Sequence, residues 1–222
     1  MSSHETRKMN FLRSYLRAAV AAMLCVFCMS AGFDAAKAQG SGETIVLIRH
    51  GEKPPGGLGQ LTCKGLNRAL ALPDLLVKRY GTPDFIYAPN PSVQVKDGHD
   101  QPTFSYVRPL ATIEPTAIRL GMPVNTQIGY SDIGALQTEL TQPAHANSLI
   151  FVAWEHLMLY QFARQMLQSG GKDPSVVPEW PQSDYDTIYV FHIAKSGDGR
   201  QMTFKIEKEM LDNSLKDSCP TP

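Results

Sequence analysis

Apolar and polar positions along this chain fall into short, separable blocks. Thr44–Arg49 is β-branched and continuously apolar up to its last residue, the pattern of a strand buried on both faces in a parallel sheet. Gly56, Gly57 and Gly59 then mark a loop. Thr62 is placed to cap a helix whose residues Leu66, Ala69, Leu70, Leu75 and Leu76 share one face. Pro73 is expected to kink or divide that helix, and Gly81 to end it. Asp84–Ala88 reads as a second short strand, closed by Pro89-Asn90-Pro91, and Ser92–Thr103 as a long surface loop.

Helical spacing returns from Arg108 to Leu120, with Gly121 at its end. Val124–Ile128 reads as a weak strand and Ser131–Leu140 as a short helix. Ser148–Trp154 is another buried strand, and Leu157–Leu167 a helix with apolar positions 157, 159, 160, 163, 166 and 167. Gly170-Gly171 ends it, and a proline-rich loop runs to Gln182. Thr187–Ile193 and Met202–Lys208 alternate in side-chain type around Ser196-Gly197-Asp198-Gly199, a hairpin signal. Strands alternating with helices, then a hairpin, predict a three-layer α/β/α sandwich with a mostly parallel sheet and an antiparallel edge.

Residues 1–38 stand apart from this pattern. Arg7, Lys8, Arg13 and Arg17 precede an apolar run from Ala18 to Met29, and Ala36-Lys37-Ala38 is a small-x-small cleavage signature. The run is shorter than the roughly 20 residues that span a bilayer. The expectation is therefore a secretory signal at 1–38 and a single domain at 39–222, periplasmic or secreted, with no membrane attachment after cleavage. Of 21 basic and 21 acidic side chains, five and two fall in the leader, leaving 16 and 19 in the domain. No basic stripe survives, so a nucleic-acid partner is not expected. Cys25 and Cys28 leave with the leader. Cys63 and Cys219 remain, either as unrelated thiols or as a pair tying the tail to the start of the first helix.

The chemistry-bearing residues fall at strand ends, where ligands bind in doubly wound sheets. Arg49-His50-Gly51 ends the first strand, and Glu155-His156 ends the Ser148–Trp154 strand. Arg108 opens the helix after the long loop. Two arginines and two histidines suit a phosphoryl group, whose spread negative charge is held by guanidinium forks and attacked by a neutral imidazole. Gly51 permits close backbone approach. Lys53 reads as a solvated lysine, His99, His145 and His192 as structural or exposed, and Trp154 and Trp180 as packing residues.

Four runs together resemble the histidine phosphatase superfamily, the phosphoglycerate-mutase-like fold. They are Val46-Leu47-Ile48-Arg49-His50-Gly51-Glu52, Leu61–Ala69, Arg108-Pro109-Leu110-Ala111-Thr112 and Val152-Ala153-Trp154-Glu155-His156, in the family's order. The resemblance implies a phosphatase acting on a small phosphorylated substrate. It implies His50 as the nucleophile that becomes phosphohistidine, with Arg49, Arg108 and His156 binding the phosphoryl group. No metal and no cofactor is implied, so the expected enzyme is a metal-independent phosphomonoester hydrolase. A phosphomutase and a non-catalytic binding protein are the alternatives. The proton donor does not follow from the motifs: Glu155 stands where many relatives have glycine or serine, and Leu157 where one branch has aspartate. Glu155 and Asp132 are the candidates, with Asp97, Asp100 and Glu139 behind them.

Overall fold

The first strand, β1 (Glu43–Arg49), alternates its side chains between two cores. Ile45 and Leu47 enter one, Val46 and Ile48 the other. This is why the run is continuously apolar: each face of the strand meets a helical layer, and each buried aliphatic side chain contributes about 1.5–3 kcal/mol. The computed structural model describes residues 42–97, 100, 102–196 and 199–221, so the leader expected at 1–38, and His99, lie outside the described residues.

The helices are α1 (Cys63–Tyr80), α2 (Arg108–Leu120), α3 (Ile133–Leu140) and α4 (His156–Ser169). The other strands are β2 (Phe85–Tyr87), β3 (Gln94–Lys96), β4 (Thr103–Ser105), β5 (Leu149–Trp154), β6 (Thr187–Ser196) and β7 (Gly199–Lys208). The main sheet runs β2-β5-β1-β6-β7. Its first three strands are parallel, and β6 and β7 form the antiparallel edge. Leu72, Leu76, Ile113 and Ala117 of α1 and α2 pack on one face. Leu136, Leu140, Leu159 and Phe162 of α3 and α4 pack on the other. The three-layer α/β/α sandwich is as the pattern predicts.

Five local expectations are corrected. In α1, Leu66 and Leu70 are 37% and 49% exposed, while Arg68, Leu72 and Leu76 are buried. The inward face is thus turned from the apolar stripe, because an arginine with carboxylate partners takes an inward position. Pro73 is buried inside α1 without dividing it, since packing on both sides holds the helix across the missing amide. The loop expected at 92–103 contains β3, which pairs with β4 in a small sheet of its own. The strand expected at Val124–Ile128 reduces to one bridge between Tyr87 and Asn125, because β2 ends at Tyr87 and offers no further ladder. In α4, Leu157 is exposed and Phe162 is buried in the core instead.

Cys63 and Cys219 form a disulfide. It fixes the C-terminal tail on the first residue of α1, where the side chain of Asn67 also donates to the carbonyls of Lys216 and Ser218, each at 2.8 Å. Among the described residues no helix is long and apolar enough to cross a membrane.

Candidate active site

Register brings the two histidines together. Arg49 of β1 lies opposite Trp154 of β5, and the His50 amide donates to the Trp154 carbonyl at 2.9 Å. Each chain leaves the sheet there, so His50 and His156 emerge side by side. Arg49, His50, Arg108 and His156 are all buried, none more than 6% exposed.

A second set of contacts holds the loop after β1. The Gly51 amide donates to the Thr112 hydroxyl at 2.9 Å, and that hydroxyl donates to the Arg108 carbonyl at 2.7 Å. Thr112 therefore ties the histidine loop to the first turn of α2, the turn that carries Arg108. The backbone that approaches Gly51 is that of α1: a Cβ on Gly51 would lie 2.8 Å from the Gly65 carbonyl oxygen. A Cβ on Gly65 would in turn lie 2.6 Å from the Glu52 carbonyl oxygen. The paired glycines let helix and loop touch, and Thr62 caps the helix by accepting from the Gly65 amide at 3.1 Å.

The His50 ring is fixed through Nδ1, 2.7 Å from the Gly51 carbonyl oxygen. A carbonyl only accepts, so Nδ1 carries the proton and Nε2 keeps its lone pair. Burial drives the His50 pKa well below the usual histidine value, and the charge of Arg108, followed by Arg49 and His156, adds to the effect against the Gly51 contact. The ring is neutral, as a nitrogen nucleophile must be. Tyr106 and Tyr185 flank it, each with ring centroids 6.2 Å from that of His50.

Arg49 gives Nη1 to the carbonyls of Gln182 and Asp184 at 2.7 and 2.8 Å and stacks 3.8 Å over the Tyr185 ring. Among the described residues its Nε and Nη2 are buried with no hydrogen-bond partner. Arg108 gives Nη2 to both oxygens of Asp97, at 2.6 and 2.7 Å, and among the described residues its Nε is likewise buried without a partner. Three orphan donor nitrogens on two cations are costly unless an anion completes them. Lys53 joins them through Asp97 Oδ1 at 3.0 Å, so it is a paired residue rather than a freely solvated one.

Glu155 caps α4 by accepting from the Met158 amide at 2.9 Å, and its Oε1 lies 2.5 Å from His156 Nδ1. Burial opposes ionisation of Glu155, yet His156, the Met158 amide and Arg49 together hold its carboxyl below the usual range. It is a carboxylate that caps α4 and faces His156. Asp132 caps α3 through the Ala135 amide at 3.0 Å and is exposed. Glu139 is bonded to the Tyr87 hydroxyl at 2.7 Å, beside His145. None of these contacts places Asp132 or Glu139 with His50. Tyr106, Tyr185 and Thr112 were missed as site residues. Only Thr112 had a sequence signal, as the last residue of the run that begins at Arg108.

A buried strand-end histidine beside two arginines has the charge and donors to suit an oxyanion such as a phosphoryl group. The fold is phosphoglycerate-mutase-like. Among solved structures, the chain is similar to a protein assigned as the phosphohistidine phosphatase SixA from Nakamurella multipartitia. That likeness has 16% identity and a TM-score of 0.51, over 76% of this chain and 97% of that one. A mycobacterial glucosyl-3-phosphoglycerate phosphatase is similar at 12% identity and a TM-score of 0.50, over 74% of this chain and 97% of that one. No protein-family model and no curated protein matches the chain.

Proposed function

We propose that the protein is an exported phosphatase that hydrolyses small phosphomonoesters through a phosphohistidine on His50, without a metal ion. The observation that carries this reading is the His50 ring: neutral, fixed through Nδ1 on Gly51, with Nε2 left as nucleophile and the charges of Arg108 and Arg49 acting on it. The orphan N–H groups of both arginines supply the donors that the oxygens of a transferring phosphoryl group need. His156, held by Glu155, adds a third contact. The likeness in fold to two phosphatases supports the same reaction class. Export rests on the leader at 1–38, and cleavage after Ala38 would start the mature chain at Gln39.

One feature favours a binding protein as the second reading: Asp97 already occupies the Arg108 fork that phosphate would use. Turnover decides between them. Mature protein incubated with a labelled phosphomonoester in the presence of a chelator is expected to yield an acid-labile protein adduct that His50→Ala abolishes. Equal turnover by wild type and His50→Ala would overturn the assignment. Binding of phosphate without turnover favours the second reading. Export is tested by fractionating cells that express the full chain and sequencing the N-terminus of the product.

A further inference from the structure

Asp97 follows β3, and its side chain is 6% exposed. It rests directly on the glycine loop after His50: a Cβ on Gly57 would fall 1.9 Å from Asp97 Oδ2. Gly57 stands at a φ of 72°, so the loop backbone is shaped to leave room for that carboxylate. Among the described residues it bonds to Arg108 and Lys53, from α2 and from the loop after β1. The Tyr106 phenol, over which Arg108 stacks at 4.7 Å, and the Glu155 carboxylate that acts on it also face this side.

A carboxylate that puts both oxygens on one guanidinium is an internal anion, and it marks where phosphoryl oxygens would sit on Arg108. The other acids near the site have tasks of their own. Glu155 holds His156 and the α4 cap, Glu52 holds Arg68, and Asp184 holds Lys208 and Thr187. Asp97 differs because its partner Arg108 is, on the phosphatase reading, the residue that would hold the phosphoryl group.

We propose that Asp97 is the proton donor for the leaving group, released when a phosphoryl group replaces it on Arg108. The proposal rests on the phosphatase reading. Burial works against the Asp97 charge, but Arg108 and Lys53 outweigh it and hold the carboxyl below its ordinary value. Substrate reverses this balance: the displaced carboxylate loses Arg108 and gains a neighbouring dianion, and both changes favour its protonated form. The proton comes from the monoanionic ester or from solvent. The His50 Nε2–P bond then forms as the P–O bond to the leaving group breaks, and the Asp97 proton passes to the departing oxygen to give an alcohol. In the second step water attacks phosphorus, its proton goes to Asp97, and the P–Nε2 bond breaks to return neutral His50. Substrate thus creates the acid it needs, which is why no motif contains it.

The test uses the mature protein and Asp97→Asn, with two esters compared through kcat/KM, which reports phosphorylation of His50. Phenyl phosphate needs a proton on its leaving group and 2,4-dinitrophenyl phosphate does not. The variant is expected to lose about 100-fold or more on the first ester, as for removal of a general acid, and far less on the second. With the second ester it should also show a burst of dinitrophenol and accumulate the His50 adduct, because water attack has lost its base. Losses on the two esters that agree within about 3-fold would overturn the proposal, assigning Asp97 only to holding Arg108. A variant that takes up no label while wild type does would overturn it too, since Asp97 would then be part of the binding site's framework. A wild type that forms no adduct overturns the phosphatase reading itself and this proposal with it.

Discussion

Glu52, two residues beyond His50, accepts two hydrogen bonds from Arg68, one from Nε at 3.1 Å and one from Nη2 at 2.8 Å. Arg68 is fully buried in α1 and also bonds to Glu209 and Asp212, with Asp186 4.0 Å away. The acid in the Arg-His-Gly-Glu run is therefore an anchor rather than a catalyst. It ties the loop after the nucleophile to α1 and to the segment that follows β7. One guanidinium faces four carboxylates, and this surplus of negative charge has a consequence for stability.

Stability is expected to fall as pH rises through about 7 to 8. Burial raises the Glu209 carboxyl to about 8, because its contact with Arg68 does not offset desolvation and the nearby Asp186 and Glu52. Burial likewise raises Glu43, whose two oxygens have no hydrogen-bond partner among the described residues, to about 7. A carboxyl whose pKa is raised in the folded state binds its proton more tightly there than in the unfolded chain. Its contribution is complete below the unfolded value, near 4.3, and is lost as pH rises through the folded one. Thermal melts of the double variant Glu43→Gln, Glu209→Gln should be flatter than wild type between pH 6 and 9. Parallel curves would show that other groups set the dependence.

Reduction of the Cys63–Cys219 disulfide should lower the unfolding free energy by as much as about 5 kcal/mol, the chain-entropy value for a loop of this length, and typically by 2–4. The bond closes a separation of 156 residues and holds only the tail, so the folded site should survive its loss. Calorimetry of wild type and Cys63→Ser/Cys219→Ser, with and without reductant, reads the effect. Wild type and the double variant melting alike in oxidising buffer would count against a stabilising bond.

Glu155→Gln should reduce kcat/KM about equally on esters with good and poor leaving groups. The Glu155 carboxylate caps α4 and positions His156, and glutamine keeps the acceptor for the cap while losing the charge. A loss of about 10-fold or less is the expected size for such a positioning residue. A loss confined to poor leaving groups would instead make Glu155 the acid and remove the case for Asp97.

First-step activity should persist into mildly acidic solution. With its pKa well below the ordinary value near 6.5, His50 stays neutral where an ordinary histidine would be mostly protonated. On 2,4-dinitrophenyl phosphate, kcat/KM at pH 5.5 should stay within about 3-fold of its value at pH 7, against the roughly tenfold loss for a nucleophile with the ordinary value. A tenfold decline would mean that His50 titrates normally and that its burial is relieved in solution.

Much of this was legible in the chain because it depends on local order. The limits of α2, Arg108 to Leu120, follow from spacing and from Gly121, which takes the left-handed conformation at the helix end with a φ of 64°. The hairpin of β6 and β7 follows from alternation. His50 and His156 follow from lying just beyond buried strands. The inward face of α1 was illegible, because the apolar stripe through Leu66 and Leu70 points elsewhere than the buried Arg68. So was the small sheet of β3 and β4, whose strands are only three residues each.

The sequence by itself determined which residues reach the carboxyl ends of the parallel strands, since period and punctuation along the chain place strand ends directly. Only the tertiary structure decided their partners and charge states. Asp97 meets Arg108 across 11 residues, Arg68 meets Glu209 across 141, and His50 loses its proton affinity to burial and to the charge of Arg108 from α2. Such pairings depend on which loops fold over the site, and on the low-dielectric interior that makes each unpaired charge expensive. No local pattern encodes either.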